Sequence, residues 1–209
     1  MPQNPGKLIS IEGGEGAGKT TVLQAIRECL EQAGKAVVCT REPGGTDVGE
    51  EIRQLLLMPG RSIDARTELL LMFASRAQLV NALIKPALAR GDYIITDRFT
   101  DASFAYQGGG RGIDASDIRD LENRFVGIQP DLTLLLDLPI DQGMARAHSR
   151  GQSLDRIESE RHDFFQNVRV AYLRRAAEDP QRIKVIDASQ SAEAVVSQVL
   201  AAIHAWLPS

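Results

Sequence analysis

Short, nearly continuous apolar runs alternate with longer amphipathic stretches along this chain, and that alternation predicts a repeating β/α architecture. Strands are expected at Lys7–Glu12, Ala36–Thr40, Tyr93–Asp97, Leu132–Asp137 and Ile183–Asp187. Runs so poor in polar positions suit parallel strands covered on both faces. Helical periodicity covers Gly18 to about Ala33, then Thr46–Leu57, Ala65–Arg90, Asp114–Phe125, Ile140–His148, Asp155–Ala177 and Ala192–Trp206. Within Ala65–Arg90, the residues Leu69, Leu70, Met72, Phe73, Ala77, Val80, Leu83, Ile84 and Leu88 are expected to form one apolar stripe, with a kink at Pro86 and a stop at Gly91. Strands joined by helices in this order predict an α/β fold: a five-stranded parallel sheet flanked by helices in three layers. No linker or repeat divides residues 1–209, so a single domain is expected, with a small lid segment around 146–161.

Composition narrows the partners. At 209 residues the chain can bury one sizeable core. A net charge of −4 argues against a nucleic-acid polymer, whose backbone wants a basic face. No apolar stretch reaches the length of a membrane span, and the first residues lack the apolar core of a signal peptide, so a cytoplasmic protein is expected. Cys29 and Cys39 make neither a disulfide scaffold nor a zinc site, and His148, His162 and His204 lack ligand spacing.

The chemistry starts at Gly13-Gly14-Glu15-Gly16-Ala17-Gly18-Lys19-Thr20, which fits the phosphate-binding loop G-x-x-x-x-G-K-[ST] between a strand and a helix. Such a loop turns its backbone N–H groups toward phosphates at a helix N-terminus. Lys19 would reach the β- and γ-phosphates, and the Thr20 hydroxyl would bind Mg²⁺. In a parallel sheet, ligands collect beyond the carboxyl ends of the strands, where Glu12, Arg41, Glu42, Asp97, Arg98 and Asp137 fall. Two arginines at strand ends suggest a second phosphate-bearing ligand, because the guanidinium fork matches phosphate. Asp97 and Asp137 compete for the metal-organising role, and spacing does not choose between them. Arg146, Arg150, Arg156 and Arg161 around Gly151-Gln152-Ser153 read as a lid over the ATP phosphates.

The chain resembles the thymidylate kinases, within the P-loop nucleoside monophosphate kinase group, over nearly its whole length. The resemblance rests on the loop with its flanks (Ile11–Thr21), Arg41-Glu42-Pro43-Gly44-Gly45-Thr46, Asp97-Arg98, Ala105-Tyr106-Gln107-Gly108-Gly109-Gly110-Arg111-Gly112 and Pro130-Asp131-Leu132. It implies a P-loop kinase fold and transfer of the γ-phosphoryl of Mg-ATP to thymidine monophosphate, for dTTP synthesis, by a homodimer. Gly13, Gly14, Glu15, Gly16, Ala17, Gly18, Lys19, Thr20 and Thr21 would hold ATP, with Arg146 and Arg150 from the lid. Arg41 and Arg98 would clamp the acceptor phosphate beside Pro43, with Glu15 at the 3′-OH. Phe73 would stack on thymine and Arg76 would hydrogen-bond it. Ser103 and Gln107 would complete the base pocket, and Tyr106 would favour deoxyribose. Asp97 would organise Mg²⁺ with Thr20. Gly16 stands where some members carry a catalytic arginine, so the resemblance is to the bacterial lid-arginine type, with Arg150 the first candidate for that role and Arg146 the second. Phe99 departs from the Tyr or His usual after Asp-Arg. A deoxynucleoside kinase with Glu42 as base is the alternative. A GTP switch protein is disfavoured, because no Asn-Lys-x-Asp segment occurs.

Overall fold

A computed structural model describes residues 6–149 and 155–207. Its centre is a sheet of five parallel strands: β1 (Lys7–Gly13), β2 (Val37–Arg41), β3 (Tyr93–Asp97), β4 (Leu132–Asp137) and β5 (Ile183–Asp187). Their order is β2-β3-β1-β4-β5. β1 lies between β3 and β4, with Ile9 opposite Ile95 on one side and Leu132 on the other. The order switches direction around β1, which opens a crevice above its carboxyl end.

Successive side chains of β1 point to opposite faces, so its run divides between two cores. Ile9 and Ile11 pack with Ile95, Leu134 and Ile186 beneath α1 (Lys19–Gln32) and α9 (Ala192–Trp206). Leu8 joins Phe73, Ile94 and Phe99 on the other face. The remaining helices are α2 (Asp47–Leu57), α3 (Ala65–Leu79), α4 (Lys85–Arg90), α5 (Thr100–Ser103), α6 (Ala115–Leu121), α7 (Ile140–His148) and α8 (His162–Glu178). Thr46 and Asp64 cap α2 and α3 through their side chains, satisfying N–H groups that a helix start leaves unpaired.

Three local expectations need correction. The apolar stripe of Ala65–Arg90 is not continuous: Leu70 is 57% exposed, while Glu68, Ser75 and Arg76 are buried on the inner face. Just before Pro86 the helix passes through a π-helical turn, Val80–Ile84, where the chain absorbs a residue that lacks an N–H. Asp155 does not start a helix. Its side chain accepts from the N–H groups of Ile157 and Glu158 and closes a turn, and α8 begins only at His162. The segment Thr100–Gly110, for which no element was expected, is helical, with α5 running into a π-helical stretch Phe104–Gly110. That stretch packs closely on α8, and a Cβ on Gly109 would lie 2.6 Å from that of Ala171.

Candidate active site

The phosphate loop follows β1 directly and leads into α1, as its sequence requires. Its sharpest constraint is at Gly16, whose φ of 72° belongs to the left-handed region. A Cβ there would collide with the carbonyl oxygen of Gly143 on α7, so this position has no room for an arginine. Lys19 is buried and folds back over the loop, donating to the carbonyls of Gly14 at 3.0 Å and Gly13 at 3.4 Å. Burial and the nearby Arg98 lower its pKa, outweighing the attraction of Asp97, Glu15 and Glu12.

A cavity of about 610 Å³ opens in front of this loop. Glu15, Gly16, Ala17, Gly18, Lys19 and Thr20 form one wall, and Pro43, Arg76, Asp97, Arg98, Ser103, Tyr106, Gln107 and Arg146 also line it. These segments are far apart in sequence, and most of the expected site residues therefore meet in one place. Gly13 and Gly14 face a smaller, largely apolar cavity behind the loop, and Thr21 lies outside the lining of the large one. Arg150 falls outside the described residues, as do Gly151–Leu154.

Arg98 is the residue most tightly constrained by its backbone. Its φ of 69° is left-handed, a conformation that costs a non-glycine residue on the order of 1 kcal/mol or more. Three hydrogen bonds hold it: Arg98 N–H to Ile11 O at 3.0 Å, Thr96 Oγ1 to Arg98 O at 2.8 Å, and Phe99 N–H to Glu12 Oε1 at 2.7 Å. The turn aims the guanidinium at Glu15 and at the Tyr106 hydroxyl. Burial works against its charge, but Tyr106, Glu15 and Asp97 more than compensate and raise its pKa. The Tyr106 hydroxyl is likewise pushed up, to about 12, by burial.

Two expected site residues lie outside the cavity lining. Arg41 does not line the cavity: its Nη2 is bonded to both carboxylate oxygens of Glu50 at 3.0 and 2.9 Å, and its side chain is half exposed. Arg53 of α2 is there instead, held by the Pro43 carbonyl at 2.9 Å. Burial and repulsion from Arg41 and Arg98 lower its pKa, so an anion beside it would be welcome. Phe73 is likewise absent from the wall. It is buried in the core with the Arg76 guanidinium 4.7 Å above its ring, and Met72 lines the cavity in its place. The spacing explains the exchange, since residues 72 and 76 are one i,i+4 step apart and share a face more closely than 73 and 76. Arg53 had a similar signal, because it and the cavity-lining Leu57 are also four apart.

Arg76 is fixed from behind. It donates through Nε to Glu42 Oε2 at 2.6 Å, through Nη1 to Ser103 Oγ and through Nη2 to Phe99 O, both at 3.0 Å. Glu42 is buried, and burial raises its pKa against the pull of Arg76. The two candidate metal aspartates also separate. Asp137 is bound by Arg169 through two bonds at 2.6 and 2.8 Å. Asp97 faces the cavity, and its buried Oδ1 receives no hydrogen bond and lies 3.5 Å from Arg98 Nη1. Arg156, read as part of the lid, is tied down instead: its Nε donates to Leu56 O and its Nη2 to Glu68.

A parallel sheet, a phosphate loop at its switch point and a second set of cations facing that loop define a phosphotransferase of the P-loop kinase class. A family model described as Thymidylate kinase matches residues 11–199. The thymidylate kinase of Hahella chejuensis is 52% identical over 202 residues, covering 94% of this chain and 97% of that one. That of Chromohalobacter salexigens is 52% identical over 208 residues, covering 98% of each. The crystal structure of thymidylate kinase from Ehrlichia chaffeensis superposes with a TM-score of 0.78 at 32% identity, over 96% of this chain and all of that one. The chain belongs to the thymidylate kinase family.

Proposed function

We propose that the chain transfers the γ-phosphoryl group of ATP to thymidine monophosphate, giving the diphosphate. The observation that carries this reading is the meeting, in one cavity, of the ATP loop with Lys19, the cation pair Arg53 and Arg98, and the base-sized pocket of Met72, Arg76, Ser103 and Gln107. The acceptor phosphate has a second pKa of about 6 and is largely dianionic near neutrality, so no general base is needed. The chain must instead offset repulsion between two anions with cations already in position. Lys19 serves the donor, Arg98 and Arg53 the acceptor, and Arg146 reaches in from α7. Arg150 is the lid arginine proposed to join them. Glu42 also lines the cavity, but an acceptor already ionised needs no base, and its Oε2 is engaged in holding Arg76.

In this reading Arg76 and Gln107 read the base, Met72 lies against it, and Tyr106 closes the sugar side next to Glu15. The fit for Mg²⁺ is supported by Asp97 Oδ1, which receives no hydrogen bond, in the same cavity as Thr20. Together with the nucleotide's own oxygens these would hold the ion, which supplies charge neutralisation on the phosphates. The proposed unit is one domain working as a homodimer. The exposed Leu70 on α3 and Phe125 on the neighbouring π-helical turn Glu122–Val126 support an apolar contact with a second copy. A cytoplasmic location is in keeping with two unpaired cysteines. Among the described residues, no helix is long and apolar enough to cross a membrane.

The test is ADP release from Mg-ATP with thymidine monophosphate, uridine monophosphate, adenosine monophosphate and thymidine offered in parallel. Turnover with thymidine monophosphate alone is expected. Turnover with thymidine but not its monophosphate would overturn the reading.

A further inference from the structure

Glu68, Met72 and Arg76 lie four residues apart along α3 and so share one face of the helix. Arg76 and Met72 reach the cavity, whereas Glu68 stops behind it, 1% exposed. Its carboxylate receives Gln107 Nε2 at 2.9 Å, Arg111 Nε and Nη2 at 3.2 and 3.1 Å, and Arg156 Nη2 at 2.5 Å. Gln107 lines the cavity, and its Oε1 has no partner among the described residues. We propose that Glu68 is a positioning residue that sets base specificity, by forcing the Gln107 carboxamide to turn its NH₂ away from the cavity and its oxygen toward it. This inference rests on the monophosphate kinase reading above.

A carboxamide has two nearly isosteric orientations of opposite hydrogen-bonding character. Glu68 removes the choice. Burial opposes its ionisation, but the hydrogen bonds from Arg111, Gln107 and Arg156 outweigh burial and lower its pKa. An ionised carboxylate only accepts, so a reversed Gln107 would set oxygen against oxygen at the 2.9 Å contact. The two arginines leave Glu68 little room to withdraw. Arg111 sits 4.6 Å from the Phe164 ring centroid and also pairs with Glu160, and Arg156 is fastened to Leu56 O at 2.6 Å.

The consequence for the base is specific. Arg76 offers only donors, and Gln107 so oriented offers an acceptor. Thymine presents the complement, an acceptor at O4 beside a donor at N3. Cytosine presents the reverse, an amino donor beside an acceptor nitrogen, and would leave buried polar groups facing like partners. With glutamine in place of Glu68, the side chain at 68 can pair with either orientation of Gln107, and half of the discrimination relaxes while Arg76 keeps the other half.

The experiment compares kcat/KM for thymidine monophosphate and deoxycytidine monophosphate in wild type, Glu68→Gln and the double variant Glu68→Gln/Gln107→Glu. Circular dichroism and thermal melts report folding. Glu68→Gln should narrow the substrate ratio by about tenfold or more, chiefly through a gain on the cytidine substrate, with KM for ATP unchanged. The double variant restores a carboxylate–carboxamide pair and keeps the charge, so its ratio should return toward that of wild type. A folded Glu68→Gln with the wild-type ratio overturns the inference, as does an equal loss on both substrates, which marks a packing role. Should the single variant not fold, the double variant decides, and a collapsed ratio there overturns it. A wild type inactive on thymidine monophosphate would instead overturn the underlying function, and this inference with it.

Discussion

A guanidinium held in a cleft by one carbonyl is chemically different from one already neutralised by a carboxylate, and the chain contains both kinds, at the end of β2 and on α2. Arg53 has the Pro43 carbonyl and a pKa lowered by burial and by its cationic neighbours, while Nη2 of Arg41 is engaged by Glu50. Removing a positioned cation from a phosphoryl-transfer site costs on the order of 10²-fold in rate. Steady-state kinetics should therefore show Arg53→Ala losing about that factor in kcat/KM for thymidine monophosphate, with Arg41→Ala losing only a few-fold. The reverse ranking would return the acceptor phosphate to Arg41. At this scale the sequence carried the catalytic motif plainly, because backbone geometry alone dictates where its glycines and Lys19 must lie. It carried the choice between Met72 and Phe73 poorly. Both belong to one apolar stripe, and only the packing of Phe73 beneath Arg76 decides which of them meets the cavity.

Elements meet at Glu12. It lies in the buried part of β1, accepts from Phe99 N–H in the turn after β3, and accepts from Tyr172 Oη of α8 at 2.7 Å. Burial, helped by Asp101, raises its pKa to about 8. The folded protein therefore keeps a proton that the unfolded chain releases from its ordinary value of 4.5 upward. The stability from this group is full below that value and is lost as pH rises toward 8. Melting curves of wild type and Glu12→Gln at about pH 5 and about pH 8.5 should show wild type losing ground to the variant at the higher pH. A constant difference would remove Glu12 from the account. The strands and long helices were legible because parallel strands and amphipathic helices impose distinct periods on hydropathy. Thr100–Gly110 was not, because a π-helical stretch packed on α8 through glycine follows neither period. The inner face of α3 was misread for a related reason: Glu68, Ser75 and Arg76 occupy core positions as a satisfied polar network, and hydropathy scores them as surface.

On the scale of the whole molecule, three apolar clusters and one polar crevice account for nearly all of the buried side chains named above. Among the apolar side chains that project beyond them are Leu70 on α3 and Phe125 on the neighbouring π-helical turn. Leu70 is 57% exposed and Phe125 55%. If these meet a second copy, Leu70→Glu should convert a dimer to a monomer in sedimentation equilibrium at micromolar concentration, because a charge buried in an apolar contact is unpaired. A wild type that sediments as a monomer would end the homodimer proposal.

The position of β1 has one more consequence, and it concerns synthesis. β1 is the first strand to leave the ribosome, yet its neighbours are residues 93–97 and 132–136. At roughly 5–20 residues per second, its second neighbour emerges on the order of ten seconds later. Until residues 93–97 have been made, Leu8, Ile9 and Ile11 have no neighbouring strand to pair with, and until residues 132–136 follow, β1 is covered along one edge only. The nucleotide site is encoded early and completed late, so the nascent chain carries β1 without both of its neighbours until residues 132–136 are made, and that interval is when a chaperone would find it.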